Sequence, residues 1–187
     1  MQKILLTLLT LLTLLPLAGD ALDLTPTPGF RNLEGFKIPI VHFADGADKV
    51  AFQPPAGWSI SGGKNLVTLY PKDRADVLTE FRLSALKPRD PNTPERLEGW
   101  CLTLLPKDAI NAEIQGETLS PFTLRALPSR EFTFNYATQG RRFITSVAVV
   151  DLNPRERLTI VTTARAGDFK TARDEVIRSL FTMNWGE

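Results

Sequence analysis

The chain has 187 residues, of which 43% are hydrophobic, and its 22 basic and 21 acidic side chains leave a formal net charge of +1. This near-neutral balance excludes bulk electrostatic attraction to nucleic acid or anionic lipid, and the hydrophobic content excludes a disordered chain. Cys101 is the only cysteine, which excludes an intramolecular disulfide.

The N-terminus has the features of a secretory signal peptide. Lys3 precedes an apolar run from Ile4 to Leu15, and Pro16 ends that run. The run is shorter than the about 20 residues of a membrane-spanning helix, and Gly19-Asp20-Ala21 has the small-x-small pattern of a cleavage site. We therefore expect residues 1–21 to be removed rather than retained as an anchor, and the mature protein to be periplasmic or secreted.

The segment after the signal differs from the rest of the chain. Residues 22–37 are rich in Pro and Gly and lack periodicity, which predicts an exposed, extended leader outside the core. The remainder, 38–187, has a length that suits one domain. Its first predicted strands are IPIVHF and KVAFQPPAGWSI, the second of which is stopped by Pro54-Pro55. Gly62-Gly63 then predicts a hairpin turn.

Alternation of apolar and polar residues predicts most of the later strands. Val77–Leu86 has one apolar and one polar face, which is typical of a half-buried strand. Residues 112–127 contain two weaker strand segments. The last three predicted strands form a meander and are Arg130–Ala137, Arg142–Leu152 and Arg157–Ala164.

Two helices are predicted from apolar residues at helical spacing. Thr93-Pro94 begins the first, which ends before Pro106, and Asp168 caps the second after Gly167. Runs of strands with two separate helices predict an α+β fold with a central antiparallel β-sheet flanked by helices, an α/β/α-type sandwich.

This order of elements resembles the PsbP-like superfamily, which includes PsbP, the Ran-binding transport factors and DcrB-type periplasmic proteins. The residues that carry the resemblance are VAFQPPAGWSI and the closing FKTARDEVIRSLFTMNW, and it spans about Val50 to Trp185. The resemblance implies a noncatalytic binding or assembly role and supplies no catalytic motif. It also implies that the leader could be an arm that reaches a partner.

The sequence contains few candidates for chemistry. His42 is the only histidine, so a two-histidine zinc site is excluded, and its position in an apolar run favours a structural role. Cys101 lies on the apolar stripe of the first helix, which favours an inert core thiol. We predict no cofactor and no metal.

Four residues are candidates for binding a ligand or partner. Arg141 and Arg142 stand together at a hairpin, where they could dock a carboxylate or an acidic partner. Tyr136 shares a strand face with Phe132 and Phe134, and with Trp58 it could line an aromatic groove, although core packing also explains these rings.

The hypothesis from the sequence is a noncatalytic exported module that docks an envelope protein or a small ligand. Two alternatives remain open. One is a hydrolase of unfamiliar type that uses His42 and a carboxylate, and the other is a structural protein of the envelope.

Overall fold

The computed structural model describes residues 22–186, so the predicted signal peptide lies outside the described residues. The described residues form eleven strands and two helices. The strands are β1 (Leu22–Leu33), β2 (Phe36–Asp45), β3 (Asp48–Phe52), β4 (Trp58–Gly63), β5 (Leu66–Pro71), β6 (Leu78–Ala85), β7 (Ile110–Leu124), β8 (Leu127–Thr138), β9 (Arg141–Asn153), β10 (Glu156–Arg165) and β11 (Asn184–Trp185). The helices are α1 (Pro94–Leu102) and α2 (Ala166–Leu180).

The strands form two antiparallel sheets. The large sheet has seven strands in the order β4-β5-β6-β10-β9-β8-β7, and the small sheet has four in the order β1-β2-β3-β11. The meander predicted from the sequence is confirmed, since β8, β9 and β10 pair in succession. β7, in the weakly patterned part of the chain, is also a strand and forms one edge of the large sheet.

A hydrophobic core lies on each face of the large sheet. One face packs against both the small sheet and α2, and it buries Phe81, Val150 and Ile160. The other face packs against α1 and buries Phe132, Phe134 and related residues. The alternation seen in the sequence therefore places successive residues of β8 and β9 in two different cores, which is why both faces of β9 are apolar.

The predicted fold class is confirmed at the level of an α+β protein built on an antiparallel sheet. The simpler picture of one sheet flanked by helices is incomplete, because a second sheet shares the layer that contains α2. Neither helix within residues 22–186 is long and apolar enough to cross a membrane.

The leader prediction is wrong for its first residues. Leu22 and Leu24 are buried in the core, and residues 22–33 form β1, which pairs with β2 from Leu22↔Asp45 to Leu33↔Phe36. Proline and glycine content suggested irregular structure, but strand pairing with β2 overrides it because prolines are tolerated on an edge strand. The outer part of the segment is exposed, as predicted.

Three local boundaries also differ from the prediction. The hairpin turn lies at Lys64-Asn65 and not at Gly62-Gly63, because Gly63 already pairs with Leu66. Gly62 lies within β4, where an added Cβ would lie 2.3 Å from the Leu66 carbonyl oxygen, so this position requires glycine. α2 begins at Ala166 after Arg165, so Asp168 lies in its first turn and is not its cap. There its charge still favours the helix dipole. α1 ends at Leu102, before the predicted stop at Pro106.

A buried ion pair ties α2 to the large sheet. Glu131 on β8 is only 2% exposed, and it accepts hydrogen bonds from Arg173 Nε at 2.9 and 3.1 Å and a further bond from Arg173 Nη2. The hydrogen bond to Glu131 is the main reason why the pKa of Arg173 is raised. The pair fixes the rotation of α2 over β8.

We expect Cys101→Ser to lower the free energy of unfolding by about 1 kcal/mol or more, because a hydroxyl replaces a thiol in an apolar site. Cys101 is fully buried, and burial raises the pKa of its thiol to about 12. Native protein at pH 8 should therefore resist a thiol reagent until it is denatured. Rapid labelling of the folded protein would contradict this assignment.

We expect Glu131→Gln to lower the free energy of unfolding by about 2 kcal/mol, because it leaves the Arg173 guanidinium beside a neutral, buried group. Lys170→Ala is the matched control, since its exposed pair with Asp174, at 2.8 Å, should contribute less than about 0.5 kcal/mol. Chemical denaturation measures both. Equal losses in the two variants would show that the buried pair has no special role.

Candidate functional site

A polar cleft lies where β7, β8 and β9 meet the start of α2. It has a volume of about 390 Å³. The residues that define this α2 cleft are Glu113, Asn135, Ala137, Arg142, Ile144 and Ala166.

Strand register places these residues on one face of the large sheet. Asn135 pairs with Glu113 on one side and with Ile144 on the other, while Ala137 pairs with Arg142. Paired residues in an antiparallel sheet lie on the same face, so all five face the layer that contains α2. Ala166, the first residue of the helix, completes the wall.

A bulge in β7 distorts the edge of the sheet at this point. Between the pairs Ile110↔Ala137 and Glu113↔Asn135, β7 has one residue more than β8. Asn111 lies inside the bulge, has a φ of 54° and also lines the cleft. Bulges bend a strand and re-aim its side chains, and they are frequent beside binding sites.

Three polar groups in the α2 cleft have no partner among residues 22–186. The buried Oδ1 of Asn135 has no hydrogen-bond donor within the described part of the chain. The side chains of Arg142 and Glu113 make no ion pair or hydrogen bond with any residue in the range 22–186. An unsatisfied buried acceptor is unusual in a folded protein and costs free energy.

The structure separates the two neighbouring arginines predicted as one docking site. Alternation along β9 turns Arg141 to the opposite face from Arg142. There, Nη1 of Arg141 lies 3.9 Å from Oδ1 of Asp76, which also pairs with Arg165. Arg142 therefore stands in the α2 cleft without its neighbour.

Tyr136 borders the α2 cleft, but its ring belongs to the other face of the sheet. The ring is buried and stacks on Phe143 with centroids 5.9 Å apart, and its hydroxyl accepts a hydrogen bond from Thr145 Oγ1 at 3.3 Å. The neighbouring Phe132 and Phe134 are covered by α1. Core packing therefore explains this aromatic face.

Trp58 lies in the other core, away from the Tyr136 face with which the sequence analysis grouped it. Its indole Nε1 donates to Glu175 of α2 at 3.1 Å, and Arg74 lies over its ring at 5.7 Å while donating to the same carboxylate at 2.7 Å. This arrangement ties β4 to α2 and leaves little of the ring exposed.

His42, the histidine of the hydrolase alternative, lies on β2. Its ring covers Gly29 of β1, where an added Cβ would lie 2.4 Å from its Cε1 atom. It lines neither the α2 cleft nor the two other clefts described below. No group of three His, Cys, Asp or Glu side chains within residues 22–186 could hold a metal ion.

A larger cleft, of about 670 Å³, lies beside the loop that precedes α1. Arg157 lines this cleft, and it donates to Asp151 at 2.6 and 3.1 Å and to the Pro91 carbonyl at 2.8 Å. A third cleft of about 320 Å³ adjoins Pro54, Pro55 and the end of α2. Because Arg157 is already satisfied within the protein, the cleft that it lines is a weaker candidate than the smaller α2 cleft.

The β1–β2 hairpin provides a second candidate surface. We define the arm as residues 27–39, most of which are exposed. Its tip carries three large apolar side chains, Phe30, Leu33 and Phe36, which are 67%, 55% and 75% exposed. Sequence reasoning found this segment through its resemblance to a reaching arm, but it did not single out the apolar tip.

The fold is similar to that of a cyanobacterial protein of known structure. Cyanobacterial PsbP (CyanoP) from Synechocystis sp. PCC 6803 superposes with a TM-score of 0.51 at 14% identity, covering 83% of this chain and 97% of that chain. The PsbP-like resemblance drawn from the sequence is therefore confirmed at the level of the fold.

Two further structures are more distant. The Ran-binding protein Mog1p from Saccharomyces cerevisiae has a TM-score of 0.48 at 13% identity, over 85% of this chain and 93% of that chain. Protein PA94 of unknown function from Pseudomonas aeruginosa has a TM-score of 0.43 at 12% identity, over 83% and 94%. No protein-family model and no curated protein matches the sequence.

Proposed function

We propose that this protein is exported and that its mature chain, residues 22–187, is a noncatalytic module that docks another protein of the cell envelope through the tip of the arm. The observation that carries the proposal is the exposure of Phe30, Leu33 and Phe36 at one end of the molecule. Leu33 pairs directly with Phe36, so these two side chains lie on one face of the hairpin, and Phe30 lies on the other. Exposed apolar side chains concentrated at the tip of one hairpin are typical of a docking surface.

The arm is built to present that tip. Its turn is Glu34-Gly35, with φ angles of 50° and 85°, which is the positive-φ geometry that matches the twist of a two-residue hairpin. From Thr27↔His42 to Leu33↔Phe36 the paired strands extend for about 20 Å. A lone hairpin is only marginally stable in water, so the buried base, which includes Leu22, Leu24 and Phe43, must support it.

The composition of the arm favours docking through side chains over the addition of a strand. β1 is an edge strand of the small sheet, and Pro26 and Pro28 remove two amide donors from it. A continuous ladder with a partner strand cannot form there. The partner we propose therefore offers an apolar groove that accepts the aromatic rings, in the manner of anchor residues at other interfaces.

We expect a photo-crosslinking residue at position 36 to yield one discrete product with a different protein in cells of the source organism. The same residue at position 181 is the matched control, because Phe181 is 64% exposed but lies at the end of α2. Equal yields at the two positions, no product at all, or a product with twice the mass of the chain would each contradict the proposal.

The double substitution Phe30→Ser and Leu33→Ser should abolish the product formed at position 36. It should change the free energy of unfolding by less than about 0.5 kcal/mol, because both side chains are exposed. Chemical denaturation therefore separates loss of docking from loss of fold. Persistence of the product in a folded double variant would show that the apolar tip does not contact the partner.

Export has a structural consequence at Leu22. The backbone N–H of Leu22 donates a hydrogen bond to the carboxylate of Glu156, which is only 9% exposed. Burial raises the pKa of Glu156, and the nearby Asp45 adds to that effect. Cleavage after Ala21 would convert this amide into an α-ammonium beside a buried carboxylate, which would offset the cost of burying the charge.

We expect a chain that begins at Leu22 to be more stable near pH 7 than a chain that retains Ala21, by about 1 kcal/mol, because only the former provides the ammonium. Glu156→Gln should remove this difference. N-terminal sequencing of exported protein should give Leu22. Equal stabilities of the two unsubstituted chains, or a different mature N-terminus, would contradict the assignment.

The direction in which folding stability changes with pH follows from the shifted pKa of Glu156. In the chain that retains Ala21, the raised pKa of Glu156 means that the folded state binds the proton more tightly, so stability falls as the pH rises from the unfolded pKa through the folded pKa. In the chain that begins at Leu22, the stabilisation that the ammonium provides should be lost as the pH rises and the ammonium loses its proton.

A further inference from the structure

The α2 cleft contains two opposite charges that no other side chain in the described part of the protein pairs. Arg142 provides a donor-only guanidinium and Glu113 an acceptor-only carboxylate, and within residues 22–186 neither has a side-chain partner. Their strand positions are set by the pairs Arg142↔Ala137 and Glu113↔Asn135. The two pairs lie two residues apart along β8, which is about 7 Å.

Asn135 makes the two ends of the α2 cleft chemically different. It is the strand partner of Glu113, and its buried Oδ1 lacks a hydrogen-bond donor in the described part of the chain. Two acceptors thus stand at one end of the cleft and a guanidinium at the other. A simple anion would be repelled by Glu113 and a simple cation by Arg142, so a ligand that satisfies the whole site carries both charges.

The remaining wall is apolar and limits the size of the ligand. Ala137, Ile144 and Ala166 lie between and beside the charged groups. The volume, about 390 Å³, is at the small end of the range for ligand sites. The space suits a compact molecule with a short aliphatic group.

We propose that the α2 cleft binds a free α-amino acid with a small aliphatic side chain. The carboxylate of the ligand pairs with Arg142, its ammonium donates to Glu113 and to Asn135 Oδ1, and its side chain packs on Ile144. Binding satisfies the buried carboxamide oxygen and both charges in one step. The site is on different elements from the arm, so its failure would leave the docking proposal unaffected, and the converse also holds.

The test is an amide NMR titration of the purified protein with L-alanine, L-valine and L-leucine. We expect at least one of them to shift the amide signals of Ala137, Arg142 and Ala166 in a saturable manner. The N-acetyl derivative of that amino acid lacks the ammonium, and its amide derivative lacks the carboxylate. Each derivative should bind about tenfold more weakly or worse, because each loses a charge-assisted hydrogen bond.

Arg142→Gln and Glu113→Gln should each lower the affinity for the amino acid by about tenfold. Arg141→Gln is the matched control, because this neighbouring arginine faces the other side of the sheet and pairs with Asp76. All three side chains are on the surface, so the variants should fold. Absence of saturable shifts for all three amino acids, equal binding of the N-acetyl derivative, or an equal loss in Arg141→Gln would overturn the proposal.

Discussion

Contact between the two sheets is the constraint on which the rest of the molecule depends. Phe52 of the small sheet lies 5.9 Å from Phe43 of the same sheet and 5.5 Å from Phe81 of the large sheet, measured between ring centroids. All three rings are fully buried. The large sheet and α2 remove the inner face of the small sheet from water, and this burial stabilises the four-stranded layer.

This anchoring explains how one hairpin can be both core and surface. The base of the β1–β2 hairpin belongs to the buried layer, whereas the arm extends beyond it and leaves Phe30 and Phe36 in water. The same layer orients α2, which is tied to β8 by Glu131 and Arg173 and to β4 by Glu175 and Trp58. A helix held at two places forms a rigid wall for the α2 cleft, so a ligand there meets a largely preformed site.

The sequence predicted the elements with strong periodicity and missed those whose structure depends on distant partners. β8, β9, β10 and both helices follow from spacing alone, because each buries a continuous stripe. β1 could not be found in this way, since only pairing with β2 and burial of Leu22 overcome its prolines and glycines. Of the predicted site residues, Arg142 lies in the α2 cleft and Tyr136 at its border, whereas Arg141 and Trp58 lie elsewhere.

By itself, the sequence determined the fold class, the antiparallel meander, the inert setting of Cys101 and the expectation of a signal peptide, because local periodicity and residue chemistry carry that information. Only the tertiary structure decided that Asn135, Glu113 and Arg142 share one cleft, and that residues far apart in the chain, such as Leu22 and Glu156, meet. Strand register and the bulge in β7 determine which of these residues lie close together. Both arise from packing between segments far apart in the chain, which no local pattern records.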